Sequence, residues 1–374
     1  MAKRTVLIAG ASGLVGSAAV RQFAQLPDWQ VIGVSRRTPP GSDRASFVSV
    51  DLTDHRQCAD VFSRLTDVTH LVYAAVNEKP GLEEGWKDRA QMRLNLSMLE
   101  NLFAPLEAAA TGLHHVSLLQ GTKAYGAHLG RIAVPARERA PRHPHENFYW
   151  LQEDYLRAQQ RGKQWQWTIW RPQLVFGEAI GSNLNVVPAI GVYAALRREA
   201  GLPLAFPGGP AFVFEAIDAD LLAEAMAWAA TAPTAGNEIF NITNGDVFAW
   251  PEVWPVIADA VGMPVGPPAP MSLVQEMPKH AAAWAAIVRK YHLRTPGRPA
   301  GVCRRVLWPG RLLLCLRCGP RPAADSGQHY QTQESRLSWL YRYRGHVAQV
   351  VPTLPRPTIV AAAMIDEVLS LSTL

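Results

Sequence analysis

The chain has 374 residues and a mass of 41.0 kDa, with 48% hydrophobic and 18% charged residues. This composition is typical of a folded globular protein and excludes disorder or a coiled coil over most of the chain. The length suits one large α/β unit or two domains. Because no run of 18 apolar residues occurs, we expect no membrane-spanning helix. The apolar stretch near the N-terminus leads directly into a glycine turn, which predicts a first strand rather than a signal peptide.

Charge and cysteine are unevenly distributed along the chain. The net charge is +6, but the segment from Arg294 onward carries eleven Arg, no Lys and four acidic residues, whereas the first 293 residues carry 26 basic and 27 acidic ones. The main body is therefore not predicted to bind nucleic acid. In the tail, Cys315 and Cys318 have no second cysteine or histidine pair at zinc spacing. Four cysteines without a secretion signal predict a reducing, cytoplasmic location, and we expect no bound metal.

The first 23 residues predict a dinucleotide-binding turn. A short apolar strand at 5–9 is followed by Gly10, Gly13 and Gly16, and then by a helix at 17–23. In such a unit the first glycine permits the tight turn, and the second lets the backbone approach a pyrophosphate at the helix N-terminus. The third glycine allows close packing of the helix. The strand–turn–helix context makes this glycine pattern specific.

Strands alternate with helical segments beyond this turn. Further strands are predicted at 31–35, 47–50, 71–75, 115–119 and 167–170, with a helix at 91–103. This order indicates an α/β fold of the NAD(P)-binding Rossmann type, with a doubly wound parallel sheet over residues 1–180. After Gly177 the pattern changes to helices at 186–199, 220–230 and 250–261, a strand at 239–242, a turn-rich link at 204–209 and a linker at 262–270. We interpret residues 181–293 as a smaller C-terminal substrate lobe.

The end of the second strand predicts which dinucleotide binds. An NAD-binding chain usually places Asp or Glu there to hold the ribose 2′-hydroxyl, but this sequence has Ser35, Arg36 and Arg37. Two guanidinium groups and a hydroxyl suit a 2′-phosphate, so we predict NADP(H). A solvated charged loop is the alternative. The other predicted cofactor-binding residues in this half lie in the glycine turn and after the third and fourth strands: Gly10, Ser12, Gly13, Leu14, Val15, Gly16, Asp51, Leu52, Ala74 and Ala75.

The expected chemical site departs from the pattern of an ordinary short-chain dehydrogenase/reductase. Such enzymes carry Tyr-x-x-x-Lys on one helix, where the lysine lowers the pKa of the phenol from about 10. No tyrosine in this chain has Lys four residues on, and Tyr149 has Glu153 there instead. The serine expected at the end of the preceding strand is also missing, and Gln120 and Gly121 occupy that position.

Two segments nevertheless point to a narrower family. The segment at 119–126 reads LQGTKAYG, and the segment at 147–154 reads NFYWLQED. Both resemble signature segments of the progesterone 5β-reductase/iridoid synthase-like enone reductases, an atypical family of extended short-chain dehydrogenase/reductases. Further matching segments are RPQLVFG at 171–177, FPG at 206–208 and FNITNGDVF at 240–248. The resemblance covers roughly residues 3–293.

The resemblance implies a reaction and the roles of several residues. Tyr149 matches the catalytic tyrosine and Lys123 the catalytic lysine, whereas Trp150 replaces the second tyrosine of the family pattern NFYY. The implied reaction is the 1,4-reduction of an activated C=C bond, in which NADPH delivers hydride to the β-carbon of an enone or enal. Tyr149, supported by Lys123, would stabilise the enolate, and a proton from solvent or the phenol would reach the α-carbon. The resemblance also places four residues at the cofactor: Gln120, Tyr149, Pro172 and Val175.

Other side chains have simpler interpretations. Tyr125 is expected to pack in the core, and His143 and His145 are expected to be solvated in a Pro-rich loop. Asn95, on the predicted helix at 91–103, is interpreted as a structural capping or water-binding residue. Three further residues are candidates for substrate contact: Asn185, Phe206 and Trp250.

Two alternative functions stay open from the sequence. A non-catalytic NADP(H)-sensing Rossmann protein would bind the cofactor without turnover and would not need Tyr149. A sugar-nucleotide epimerase or dehydratase of the same fold would need the missing Tyr-x-x-x-Lys. The expected partner is a small-molecule enone substrate, without nucleic acid or membrane, and a homodimer is compatible with the sequence. The substrate, the stereochemistry of reduction and the oligomeric state are left open.

The tail from about Pro296 differs from the rest of the chain. Pro, Arg and Cys become more frequent, Lys is absent and hydrophobic periodicity fades. The tail lacks the segments, similar to ESFYYADF and VSTIKxRxAGFHxxxDTEDM, that help wall the substrate pocket in the resembled family. Back-translated codons of 327–346, reread one base later, allow VVSTIKPRKAGFHGCTDTEDM. Our hypothesis is that a frameshift replaced the native tail at 294–374. A genuinely divergent tail is the alternative, and resequencing codons 285–310 distinguishes the two.

Overall fold

The computed structural model describes residues 4–36, 44–78, 82–177, 186–208, 213–245 and 247–293, without the side chains at 82–84 and 274. Three predicted features lie outside these residues: Arg37, Asn185 and the tail at 294–374. The described residues divide between two compact units. The first unit comprises the described residues within 4–130, 141–177 and 217–242, and the second comprises those within 131–140, 186–216 and 243–293.

A seven-stranded parallel sheet forms the centre of the first unit. The strands of the described residues are β1 (Arg4–Ala9), β2 (Trp29–Ser35), β3 (Ala45–Ser49), β4 (His70–Tyr73), β5 (His115–Leu119), β6 (Gln166–Pro172), β7 (Leu174–Phe176), β8 (Leu204–Ala205), β9 (Phe214–Asp218), β10 (Glu238–Ile242), β11 (Val247–Phe248) and β12 (Val265–Gly266). The sheet has the order β10-β6-β5-β4-β1-β2-β3 with all neighbours parallel, which confirms the predicted doubly wound sheet.

The strand order reverses at β1. Ala9, the last residue of β1, pairs with Val34 of β2 on one side and with Tyr73 of β4 on the other. In open α/β sheets, ligands bind in the crevice outside the carboxyl ends of the strands at such a reversal. The topology therefore directs the search for a site to the loops that follow β1, β4, β5 and β6.

Helices accompany the sheet. Among the described residues they are α1 (Leu14–Gln25), α2 (His55–Phe62), α3 (Leu82–Lys87), α4 (Arg89–Ala109), α5 (Phe148–Gln160), α6 (Val187–Glu199), α7 (Ala219–Ala229), α8 (Trp250–Ala260), α9 (Leu273–Glu276) and α10 (Ala281–Lys290). In the first unit α1 packs against α7, and α4 packs against α2, α3 and α5. None of these helices is long and apolar enough to cross a membrane.

The core of the first unit lies between the sheet and the helices α2, α4 and α5. Its members are apolar and almost wholly excluded from solvent; among them are Leu7, Leu71, Val116, Ile169, Leu99, Phe103 and Leu156. Burying each such side chain contributes about 1.5–3 kcal/mol. Every residue of β4 is buried, so burial does not alternate along this strand, as expected for a strand covered on both faces.

Several predicted boundaries were wrong by a few residues. The helix expected at 17–23 begins at Leu14, because Gly13 already adopts the extended N-cap conformation, with φ −90° and ψ 171°. The strand expected at 71–75 ends at Tyr73, so the alanines after it lie in a loop. Strand and helix ends are set by hydrogen bonding and packing that a local apolar pattern does not specify.

The segment 217–242 lies in the first unit, although the predicted substrate lobe at 181–293 includes it. Its strand β10 extends the parallel sheet by pairing with β6, with Ile239 opposite Ile169. Its helix α7 packs against α1. The chain therefore returns to the sheet after leaving it, and no single cut divides the two units.

The second unit has short strands and an aromatic core. β8 and β12 form a short parallel pair where a turn-rich link and a linker were predicted, and β9 pairs antiparallel with β11. Phe206 and Tyr193 pack against Trp254 at ring-centroid distances of 5.2 and 6.4 Å. The Trp254 indole N–H donates to the carbonyl of Leu204 at 3.3 Å, and the Tyr193 hydroxyl donates to that of Ala205 at 3.0 Å. These bonds attach the helices of this unit to β8.

Two buried histidines lie at the amino end of the sheet. His70 and His115 open β4 and β5 and face each other in register. His70 Nε2 donates to the carbonyl of Ala230 at 3.0 Å, and His115 Nε2 lies 2.8 Å from the hydroxyl of Thr168. Burial lowers the pKa of His70 to about 4 and that of His115 to about 3. Both imidazoles are therefore neutral at pH 7 and serve as hydrogen-bonding parts of the core.

Candidate active site

The predicted glycine turn lies at the carboxyl end of β1. Gly10 has a φ of +84°, and a Cβ atom there would lie 2.8 Å from the carbonyl oxygen of Ala74 and 2.9 Å from the amide nitrogen of Ala75. A Cβ atom at Gly16 would overlap the carbonyl oxygen of Gly10. Backbone atoms are the obstacles in both cases, so neither position can take a side chain without moving the main chain.

The N-terminus of α1 opens at this turn. Gly13 caps the helix without a side-chain hydrogen bond, and the first turn contains no acidic residue. The amide groups of Leu14, Val15 and Gly16 are first-turn donors that the helix itself does not use. Together with the helix dipole, these N–H groups form a site suited to a phosphate. Ser12 lies half-buried in the same turn.

The ends of β2 and β3 lie beside each other. Arg36 is exposed, Ser35 is half-buried, and the Ser49 hydroxyl donates to the Arg36 carbonyl at 3.3 Å. Asp51 Oδ1 accepts from the backbone N–H and the hydroxyl of Thr53 at 3.0 and 2.8 Å. These bonds, with a smaller contribution from Arg36, lower the pKa of Asp51. Leu52 is buried in the core, so its side chain packs rather than lines the surface.

The loop after β4 is held by Asn95 of α4. The Asn95 side chain accepts from the backbone N–H of Asn77 and donates to its carbonyl, both at 2.8 Å. It also donates to the Gln91 carbonyl at 3.0 Å, and the Asn95 carbonyl accepts from Gln152 of α5 at 2.8 Å. This structural role agrees with the interpretation from the sequence. It fixes the loop that carries Ala74 and Ala75.

Asn147 joins the two signature segments. Its Oδ1 accepts from the Tyr149 backbone N–H at 2.9 Å and so caps α5. Its Nδ2 donates to the Lys123 carbonyl at 2.6 Å. The side chain is 1% exposed. One buried amide therefore holds the start of the tyrosine helix against the 3₁₀ turn Thr122–Tyr125, which carries the lysine. The motif contains Asn147, but its spacing did not reveal this role.

The Tyr149 hydroxyl lies at the carboxyl ends of β5 and β6. A Cβ atom placed on Gly121 would be 3.5 Å from Tyr149 Oη and 3.4 Å from the Pro172 carbonyl oxygen. Glycine at 121 thus leaves open the space beside the phenol. Burial, with a smaller contribution from the negative charge of Glu78, raises the pKa of Tyr149 well above its usual range. The phenol is therefore a neutral hydrogen-bond donor at pH 7.

Lys123 and Tyr149 both contact the ring of Trp86. The Lys123 Nζ lies 4.4 Å from the ring centroid of Trp86, at the end of α3. The same indole contacts the Tyr149 ring edge-on, at 4.9 Å between centroids and an interplanar angle of 68°. The two predicted catalytic side chains are thus brought to one aromatic ring. Trp86 belongs to no motif, and its helix was not predicted.

A buried charge cluster lies beneath Tyr149, and it contains Glu153, Arg171 and Gln120. Glu153 occupies the position four residues after the tyrosine and is 3% exposed. Its Oε2 accepts from Arg171 and from Gln120 Nε2, both at 3.2 Å. Gln120 also donates to the Tyr149 carbonyl at 3.0 Å and accepts from Arg171 Nε at 2.9 Å. The Gln120 side chain, predicted at the cofactor, is directed into this cluster and supports the first turn of α5.

Three further residues of the signature segments are Pro172, Val175 and Tyr125. Pro172 ends β6 and is buried, and Val175 lies half-buried in β7. The Tyr125 ring lies 5.0 Å from the Arg171 guanidinium, and its hydroxyl donates to Asn241 at 2.6 Å. This contact agrees with the packing role expected for Tyr125.

The expectation of a solvated His143 was wrong. Its ring nitrogens are buried, and the ring lies 4.1 Å from that of Trp150 and against Gly126. His128 and His145 lie 5.9 and 6.4 Å from His143, measured between ring centroids. The aromatic surface of Trp150 covers this loop, so His143 packs instead of facing water. Among the described residues no cluster of His, Cys, Asp or Glu is arranged to hold a metal.

The NAD dependent epimerase/dehydratase family matches residues 6–243 of this chain. The (S)-8-oxocitronellyl enol synthase CYC2 of Camptotheca acuminata is 34% identical over 372 residues, covering 92% of this chain and 93% of that protein. The 3-oxo-Delta(4,5)-steroid 5-beta-reductase of Arabidopsis thaliana is 34% identical over 273 residues, covering 69% of each.

A solved structure supports the same fold. The UDP-glucose 4-epimerase of Brucella ovis in complex with NAD is 19% identical, with a TM-score of 0.57 over 72% of this chain and 86% of that one. At this identity the likeness concerns architecture, whereas the two sequence relatives carry the family assignment. The chain belongs to the progesterone 5β-reductase/iridoid synthase-like enone reductases, which are oxidoreductases of the extended short-chain dehydrogenase/reductase superfamily.

Proposed function

We propose that this protein is an NADPH-dependent reductase of the activated C=C bond of enones and enals, acting by 1,4-addition. The observation that carries the proposal is the position of the Tyr149 hydroxyl beside Gly121 and the Pro172 carbonyl, at the carboxyl ends of β5 and β6. A substrate carbonyl placed there meets a preorganised donor. The names of the two relatives, an enol synthase and a steroid 5-beta-reductase, support the same reaction class.

The glycine turn fits a dinucleotide. The backbone contacts that exclude a Cβ atom at Gly10 and Gly16 leave a surface of main-chain N–H groups at the start of α1, as a pyrophosphate requires. We assign NADP(H) because Ser35 ends β2 and Arg36 follows it, where a ribose 2′-phosphate would lie, and no carboxylate occupies those two positions. When bound, the reduced cofactor supplies the hydride.

Tyr149 would act as the neutral hydrogen-bond donor to the substrate carbonyl. Its raised pKa keeps the proton on Oη at neutral pH. As negative charge develops on the carbonyl oxygen, this hydrogen bond strengthens, which lowers the barrier rather than merely binding the ground state. The phenol or solvent then provides the proton for the α-carbon.

Lys123 would supply the positive charge that Glu153 cannot. In an ordinary short-chain dehydrogenase/reductase the lysine projects from the tyrosine helix, but here the corresponding position carries a buried carboxylate bound to Arg171. The cation instead comes from the 3₁₀ turn after β5 and reaches the aromatic ring that contacts Tyr149. An ammonium near the developing enolate stabilises it electrostatically. Glu153 stands where the lysine of Tyr-x-x-x-Lys would be, and this absence of the lysine argues against a sugar-nucleotide epimerase.

The test is the oxidation of NADPH, followed at 340 nm, with a panel comprising a cyclic enone, a linear enal and a 3-oxo-Δ4 steroid. We expect turnover by the wild type with at least one of them, and a preference for NADPH over NADH. Tyr149→Phe should lower kcat about 100-fold because the donor to the enolate is lost. Tyr149→Phe should still bind NADPH, as measured by quenching of protein fluorescence.

Tyr155→Phe is the matched control. Tyr155 lies on the same helix, is partly buried and packs against Phe103 at 6.2 Å, away from Gly121. It should retain the wild-type kcat. A wild-type protein that binds NADPH but reduces none of the enones would contradict the proposal and favour a sensing function. Equal activity of the wild type and Tyr149→Phe would reject the role of the phenol.

A further inference from the structure

Trp86 is buried beside the proposed site in an unusual state. Its side chain is 1% exposed, and its indole N–H is buried without a hydrogen-bond partner among the described residues. Buried indole N–H groups usually find an acceptor, and leaving one unsatisfied is unfavourable. Because the ring is almost inaccessible, it cannot act by touching solvent or a ligand. Its contribution must pass through the side chains that it contacts.

Those contacts connect the two proposed catalytic groups. The Lys123 ammonium lies over one face of the indole at 4.4 Å, within the range of a cation–π interaction. The Tyr149 ring meets the indole edge-on at 4.9 Å. Phe148 packs on it at 4.4 Å with an interplanar angle of 31°, and His128 lies 5.6 Å away. Together with Met92, Trp86 and Phe148 form a small separate core.

We propose that Trp86 is a positioning residue that fixes the Lys123 ammonium relative to the Tyr149 phenol through one cation–π contact and one edge-on ring contact. The inference rests on the function proposed above and adds a residue that no motif indicates. Lysine is long and flexible, and a lysine on a turn needs a surface to define its position. The indole face supplies that surface, and the packing on Phe148 and Met92 keeps the indole rigid.

The main test is a double-mutant cycle on NADPH-dependent enone reduction, with Trp86→Phe, Lys123→Met and the double variant. Trp86→Phe keeps an aromatic ring but weakens the cation–π contact. We expect it to lower kcat about tenfold in the wild-type background. In the Lys123→Met background it should lower kcat less than twofold, because that background has no cation–π contact to lose. KM for the enone and the Kd for NADPH should change less than twofold.

Trp86→Leu sharpens the comparison because it removes the ring altogether, so it should lose more activity than Trp86→Phe. The matched control is Trp29→Phe, since Trp29 is also a buried tryptophan under a cation, with Arg4 5.6 Å from its ring. It should lose stability without losing kcat. Equal loss from Trp86→Phe in both backgrounds would overturn the proposal, because a purely structural effect is additive.

A second readout does not depend on activity. Reductive methylation with 13C-formaldehyde labels Lys123, and the NMR signal is assigned by its absence in Lys123→Met. A methylated amine over an indole face shows an upfield ring-current shift, which should move toward the random-coil position in Trp86→Leu. An unshifted signal in the wild type would reject the contact. Absence of enone turnover by the wild type, with the shift present, would instead reject the proposed function alone.

Discussion

The two ends of the parallel sheet treat buried polar side chains in opposite ways. At the carboxyl end, Glu153 and Arg171 form a buried ion pair with each other and hydrogen-bond to Gln120 beneath Tyr149. At the amino end, His70 and His115 are buried as neutral groups that bond to a carbonyl or a hydroxyl. The carboxyl end of the sheet therefore contains buried charges beneath the proposed site, whereas the amino end contains buried neutral groups.

The difference shows where the fold tolerates charge. A buried ion pair is not a favourable way to gain stability, since desolvation offsets most of the attraction. The cluster beneath Tyr149 instead holds the tyrosine helix in place, because Gln120 joins the cluster to the backbone of that helix. The two histidines position no proposed catalytic group. A neutral imidazole can hydrogen-bond in the core with a smaller desolvation penalty than a charged side chain. Three predictions test this contrast, beginning with the largest expected effect.

Glu153→Gln should be the most damaging change. It removes a buried carboxylate next to Arg171, which is 6% exposed, and we expect a loss of roughly 3–5 kcal/mol in the free energy of unfolding. Urea denaturation measures this value. The control is Asp154→Asn, because the neighbouring carboxylate is exposed and pairs with Arg142 at the surface. That variant should change stability by at most about 1 kcal/mol. Similar losses in both variants would show that burial of the charge is not important.

Acidification should act on the opposite end of the sheet. The pKa values of His70 and His115 in the folded protein are about 4 and about 3, below the value of about 6.5 expected when unfolded. Between these limits the unfolded chain binds more protons, so stability falls as the pH falls below 6.5. At pH 5 each histidine should cost about 2 kcal/mol relative to pH 7.

Comparing urea denaturation at pH 7 and pH 5 measures this effect. His115→Gln should reduce the loss of stability between pH 7 and pH 5 by about 2 kcal/mol, since one of the buried neutral histidines is removed. His55→Gln serves as the control, because His55 lies at the exposed start of α2. It should leave the pH dependence unchanged. A pH dependence in His115→Gln and in His70→Gln that is as large as in the wild type would assign the effect to other groups.

Asn147→Ala should have the smallest effect on stability but a specific effect on activity. It removes the cap of α5 and the bond to the Lys123 carbonyl, with an expected loss of about 1–2 kcal/mol. Asp54→Ala removes a comparable cap from α2, where Asp54 accepts from two backbone N–H groups. Both variants should lose similar stability in urea denaturation, but only Asn147→Ala should lower kcat. Unchanged kcat would separate Asn147 from the site.

Much of the first unit could be predicted from local pattern. The glycine turn, the parallel sheet and the tyrosine and lysine segments were all recognisable, because buried parallel strands are continuous apolar runs and tight turns need glycine. The path of 217–242 was not predictable, since pairing of β10 with β6 joins residues about seventy positions apart. The packed position of His143 also escaped prediction, because Trp150 covers it only in the folded chain.

The sequence by itself determined the family, the fold class and the identity of the residues proposed to act, because these depend on residue types at short spacing. Only the tertiary structure decided how they meet. It placed the Lys123 ammonium over the ring of Trp86, and it directed the Gln120 side chain into the charge cluster beneath Tyr149. Side-chain direction follows from packing between segments distant in the chain, and such packing leaves no local pattern to read.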